Sequence, residues 1–186
     1  EFSQVVTKAF RERGHEAYSC DILPTEGNPE WHIQDDVLKH LDDGWDMMIA
    51  HPPCTYLALI GARWYSSDPT RMGKTMLARA FFMALYDAPI NKIAIENPLP
   101  IKKANLPKYS QIIQPRHFGA MGDKRTCLWL KNLPPLFATC IYPIGERYID
   151  PNGKVKGSKW FMLDTFANAY ERSRTFIQIA HAMATQ

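Results

Sequence analysis

Two hydrophobic periods alternate along the chain, and they lay out its elements. Val5, Val6, Ala9 and Phe10 share one helical face, Ser3 stands where an N-cap belongs, and Gly14 ends the helix. Residues 16–21 read as a short strand ending in the acid Asp21, 27–31 as a loop, and 35–41 (DDVLKHL) as a short helical or turn segment. The run DMMIA at 46–50 is short and wholly apolar, as a buried parallel strand is, and His51-Pro52-Pro53-Cys54 ends it in a rigid turn. Over 71–86 the spacing of Met76, Leu77, Ala80, Phe81, Ala84 and Leu85 predicts an amphipathic helix. KIAIE at 92–96 is a second buried strand, closed by Asn97-Pro98, and TCLWL at 126–130 a third. Prolines at 98, 100, 107 and 115 mark an irregular stretch between them. Asp150-Pro151-Asn152-Gly153 is a turn signal for a hairpin, and a last helix is expected from about Ser173, with Phe176, Ile179, Ala180 and Met183 on one face.

Strands alternating with helices predict an α/β fold, a mostly parallel sheet with helices on both faces. Ligands of such sheets bind beyond the carboxyl ends of the strands. Asp21, the HPPC turn and the ENP turn all fall at strand ends of that kind. A single domain over 1–186 is expected, with 131–172 forming a small irregular or hairpin insertion near the C-terminus.

Composition narrows the picture further. Hydrophobic residues make up 46% and charged residues 22% of 186, an ordinary globular balance. No run approaches the ~20 apolar residues of a membrane span, the first residues do not form a signal peptide, and no membrane partner is expected. The chain opens on Glu1 rather than Met and is expected to be a fragment or a processed form. Cys20, Cys54, Cys127 and Cys140 have no CxxC spacing, and the six histidines show no ligand spacing, so neither a metal site nor a disulfide framework is expected. A reducing, cytoplasmic setting follows. The net charge of +3 permits a nucleic-acid partner without requiring one.

Two turns carry the candidate chemistry. Cys54, just past a buried strand and two prolines, is held on rigid backbone where its thiol could attack an electrophile, although a cysteine there could equally be core filling. Glu96 at the next strand end could bond a ring nitrogen or an exocyclic amine, or simply cap its loop. His51 beside the first turn could order a substrate or tune Cys54. Lys124-Arg125-Thr126 places two cations at a strand start. Asp21 stands where this architecture holds a ribose, and Asp36 is either a second ligand or a cap.

PPC after one strand and EN after the next resemble the hallmark motifs of the DNA cytosine (carbon-5) methyltransferases. HPPCTYL, the ENP turn, a QPxxFG segment at 114–119 and the run KRTCLWLKNLPPL are similar, in that order, to short phage-type members, across most of the chain. The resemblance implies a Rossmann-like methyltransferase sheet. It implies Cys54 as the nucleophile adding to carbon 6 of an extruded cytosine, Glu96 as the acid holding ring nitrogen 3 and the amine, and Arg125 as the supporting cation. It further implies S-adenosylmethionine as cofactor, with Phe2, Ser3, Asp21, Asp36 and Pro52 around it, and His51, Asn97, Lys124 and Thr126 around the substrate. DNA is the implied partner, in a bacterial or phage-infected cell. The chain departs from the family in one motif: Glu1-Phe2-Ser3-Gln4 has no glycine where the family has FxGxG. Residues 131–172 are also short for a target-recognition domain, although Lys154, Lys156, Lys159 and Trp160 could grip a strand. A free pyrimidine nucleotide as substrate, and a non-catalytic nucleotide- or DNA-binding relic used in phage–host conflict, are the alternatives.

Overall fold

The apolar runs at 47–50 and 92–98 form neighbouring parallel strands, because the chain between them folds into a crossover helix that returns it to the same end of the sheet. A computed structural model describes residues 1–120, 124–143, 147–149, 151–158 and 174–186. Asp150, Lys159, Trp160 and Ser173 lie outside the described residues, as does the side chain of Lys156. The fold is mixed α/β. Its described helices are α1 (Val5–Arg11), α2 (Arg71–Tyr86) and α3 (Ile177–Thr185). The strands are β1 (Ser19–Asp21), β2 (His32–Gln34), β3 (Met47–Ala50), β4 (Lys92–Pro98), β5 (Gln111–Ile113), β6 (Thr126–Lys131), β7 (Arg147–Ile149) and β8 (Val155–Ser158).

The chain divides into two compact units, both discontinuous in sequence. The first comprises Glu1–Gln34, Gln114–Lys124 and Leu136–Gln186, the second Asp35–Ile113 and Arg125–Pro135.

The second unit holds the largest sheet, ordered β3-β4-β6-β5. A mostly parallel sheet was the expectation; this one is mixed. Only β3 and β4 pair parallel, while β6 runs antiparallel to both β4 and β5. The reversal comes after β5: that strand runs in the same direction as β4, and the chain then turns back over 114–125 so that β6 enters between the two, antiparallel to each. Phe82 and Leu85 of α2 pack on Ile93, Ile95 and Trp129 of the sheet, and Phe82 meets Trp129 edge to face at 5.0 Å. The Trp129 indole donates to the Pro107 carbonyl at 2.8 Å, which leaves no polar cost to burying that ring.

Helix α2 has the expected bounds but not the expected face. Thr75, Phe82 and Leu85 are buried and Arg71 is only 7% exposed, whereas Met76 is exposed and Leu77 is 74% exposed. The stripe is rotated because Arg71 and Thr75 turn inward to backbone carbonyls of the chain after Cys54.

In the first unit α1 packs against α3, with Val6 and Ala9 facing Ile179, Ala180 and Met183 in a buried layer. Ser3 is not the N-cap of α1. That position is taken by Gln4, at φ 55, ψ 22, without a side-chain cap bond. Strands β1 and β2 pair parallel, and β2 had no signal in the apolar pattern. The expected hairpin is β7 and β8, with Gly153 at φ 77 in its turn.

Candidate functional site

Strand direction decides which side chains can meet. Because β3 and β4 are parallel and in register to Ala50↔Ile95, the HPPC turn follows β3 at the end of the sheet where β4 runs on through Glu96, Asn97 and Pro98, which are strand residues paired with β6 rather than the expected turn. Because β6 is antiparallel, with Pro98↔Thr126 in register, it begins at that end, immediately after Arg125. Seven of the residues picked from the sequence therefore converge on one end of one sheet: His51, Pro52, Cys54, Glu96, Asn97, Arg125 and Thr126.

The Cys54 thiol is exposed, and the backbone beneath it is tightly held. Buried Asn97 donates from Nδ2 to the Pro52 carbonyl at 3.0 Å, tying the HPPC turn to β4. The Cys54 carbonyl accepts from the Leu57 and Ala58 amides at 3.0 and 2.8 Å. Arg71 Nη2 donates to the Thr55 carbonyl at 2.8 Å, and the Thr75 hydroxyl donates to the Tyr56 carbonyl at 3.1 Å. The carbonyls of residues 52, 54, 55 and 56 are thus each bonded. An open thiol on fixed backbone is what a positioned nucleophile requires.

Arg71 is the residue that periodicity missed. Its guanidinium lies over the Tyr56 ring at 5.2 Å and the Tyr65 ring at 5.5 Å. It fits there only because residue 61 is glycine: a Cβ on Gly61 would lie 2.3 Å from Arg71 Nη2 and 3.1 Å from the Thr55 carbonyl. The signal was present in the sequence as a cation four residues before Thr75 on the stripe that continues to Phe82 and Leu85.

Electrostatically the site pairs a base with an acid. His51 Nδ1 lies 3.3 Å from Glu96 Oε2, and the Glu96 side chain is only 11% exposed. His51 Nε2 and Asn97 Oδ1 are buried without a hydrogen-bond partner among the described residues, so this end of the sheet retains unused polar capacity. Arg125 is exposed, and Thr126 beside it is buried. Cys127, directly opposite Asn97 on β6, is a different thiol: burial pushes it up to about 11, with Arg125 acting in the other direction.

The remaining candidates lie elsewhere in the chain. Asp36 caps a short 3₁₀ turn, accepting from the Leu38 amide at 3.0 Å. Lys124, Phe2, Ser3 and Asp21 belong to the first unit. Lys124 Nζ is 6.0 Å from the centre of the Phe176 ring. The Ser3 hydroxyl donates to Glu1 Oε1 at 2.8 Å. Asp21 sits at the end of β1 with Oδ1 accepting from the Leu23 amide at 3.1 Å. Gln4 has left-handed backbone, which glycine adopts most easily. Its buried amide donates to Ser19 Oγ and to the Asn28 carbonyl, and accepts from the Asn28 amide at 2.8 Å. No group of three or more His, Cys, Asp and Glu side chains among the described residues could hold a metal ion, and no helix among them is long and apolar enough to cross a membrane.

The chain matches no protein-family model, no curated protein and no solved structure.

Proposed function

We infer that this chain acts on pyrimidine rings by covalent catalysis, and that its reaction is methylation of carbon 5 of cytosine in DNA. One observation carries the reading: an exposed cysteine on pinned backbone shares one sheet end with a shielded carboxylate and an exposed arginine. Those are the groups the chemistry needs. The Cys54 sulfur, as thiolate, bonds to ring carbon 6, and the ring electrons move toward carbon 5 and nitrogen 3. Glu96 holds nitrogen 3 and the exocyclic amine, and Arg125 stabilises charge on the carbonyl side. Covalent attack divides one hard step into two easier ones, and the product is freed when carbon 5 loses its proton and the sulfur departs. His51, 3.3 Å from Glu96, orients that carboxylate.

S-adenosylmethionine is the implied methyl donor, and it supplies an electrophilic methyl group when bound. The first unit fits its nucleoside half. A left-handed turn lies at Gln4, and the Asp21 carboxylate stands at a strand end suited to a ribose diol. A Rossmann-like methyltransferase architecture belongs to the same reading.

The test is an oligonucleotide carrying 5-fluorocytosine, incubated with S-adenosylmethionine and analysed by intact mass. Fluorine cannot leave as the proton does, so the sulfur–carbon bond persists. The expected result is a one-to-one protein–DNA adduct that vanishes in Cys54→Ala, a variant expected to fold because the side chain is exposed. No adduct with the wild-type chain would sink the reading. An adduct with the 5-fluoro mononucleotide alone would move it to a nucleotide substrate.

A further inference from the structure

Directly downstream of each chemistry-bearing stretch lies a short segment that the reaction does not use. After Cys54 the chain enters the 3₁₀ segment Leu59–Tyr65, and after Glu96-Asn97-Pro98 it enters 99–104. The two segments are joined. The Leu59 amide donates to the Leu99 carbonyl at 2.8 Å, Ala58 bridges Pro100, and Lys103 Nζ lies 4.4 Å from the centre of the Tyr65 ring. Together they present apolar side chains to solvent where none is needed for folding: Ile60 is 72% exposed, and Trp64 is 49% exposed with the Arg63 guanidinium over its ring at 4.8 Å. Lys102 and Lys103 are exposed beside them. Residues 51–113 and 125–135 hold ten Lys and Arg against three Asp and Glu, a balance complementary to a polyanion. The acids of the unit concentrate in 35–46, where Asp35 and Asp43 are engaged by Lys39 and His40.

We propose that this surface binds a single strand of DNA, with Trp64 stacking on a base and Arg63, Lys102 and Lys103 neutralising its phosphates. An aromatic ring flanked by cations is how strands with unstacked bases are held. The proposal rests on the reading of Cys54 as acting on DNA and extends it. The strand would approach the thiol along the two segments that lead away from it, which gives the second unit a nucleic-acid grip without the insertion at 131–172.

The experiment is a fluorescence-anisotropy titration of the chain with a short labelled oligodeoxynucleotide across a salt series. Trp64→Ala is expected to weaken binding roughly ten- to a hundredfold. Lys102→Gln and Lys103→Gln are each expected to lower the slope of log affinity against log salt by about 0.7. Lys92→Gln, the same charge change at the opposite end of β4, is expected to leave affinity and slope alone. Absence of binding by the wild type, wild-type behaviour of the Trp64 and lysine variants, or an equal loss in Lys92→Gln would each overturn the proposal. Its failure is distinguishable from failure of the cysteine chemistry. An adduct on a 5-fluoro mononucleotide without oligonucleotide binding removes the surface and keeps the nucleophile. Trp64-dependent binding without any adduct does the reverse.

Discussion

Cys54 and Cys127 show how placement separates two identical side chains. Cys54 is open to solvent at the end of a turn, whereas Cys127 is fully buried on β6 and its thiol is raised to about 11. In native protein, Cys54 and exposed Cys140 should react with a maleimide, and Cys127 only after unfolding; rapid labelling of Cys127 in the native state would contradict this. The same burial sets a pH dependence. From the ordinary thiol value near 9 up to about 11, the unfolded chain has lost a proton at Cys127 that the folded chain keeps. Stability is therefore intact below that window and falls as pH rises through it. Urea unfolding of wild type and Cys127→Ala should diverge in pH slope only above about 9. Asn97 belongs to the same scale. Asn97→Ala leaves the Pro52 carbonyl without its donor and should cost about 1–3 kcal/mol, seen as a lower urea midpoint at unchanged slope. An unchanged midpoint would mean that the HPPC turn is held to β4 by other means.

The elements explain what periodicity could and could not reveal. The bounds of α2 were legible, because sixteen residues with no proline, and with Gly73 as the one glycine near the start, repeat apolar side chains at helical spacing. Its buried face was not, because Arg71 and Thr75 bury polar groups, and a hydrophobic pattern counts those positions as solvent-facing. Gly61 tests the arrangement. Gly61→Ala must push the Arg71 guanidinium off the Thr55 carbonyl, so it should destabilise by about 1–3 kcal/mol and slow adduct formation at Cys54. Normal stability and normal adduct rate together would show that Arg71 does not steady the turn. The direction of β6 was equally hidden. TCLWL is as apolar as a parallel strand, and its direction is set by its place between β4 and β5, which the apolar pattern does not encode.

For the whole molecule, the HPPC turn was legible and the pairings less so. HPPC marked the end of β3 correctly, since proline stops a strand wherever it lies, whereas ENP did not stop β4, which runs on through Pro98 because its pairing with β6 continues to Thr126. The juxtaposition of Arg125 depended on strand order, which no local pattern encodes. The lack of a glycine at Gln4 was visible, but the backbone found there was not. A side chain three-fold bonded to Ser19 and Asn28 holds Gln4 in left-handed backbone. The discontinuity of both units lies furthest from local sequence, and it bears on how the chain comes into being. Helix α1 buries Val6 and Ala9 against α3, whose residues are the last of those described to be synthesised. On the ribosome the first helix must wait, its apolar face uncovered, until the last one emerges. Closing so long a loop is slow, and an uncovered apolar face invites aggregation. Chaperone dependence during expression, relieved once synthesis is complete, is the outcome that this topology favours.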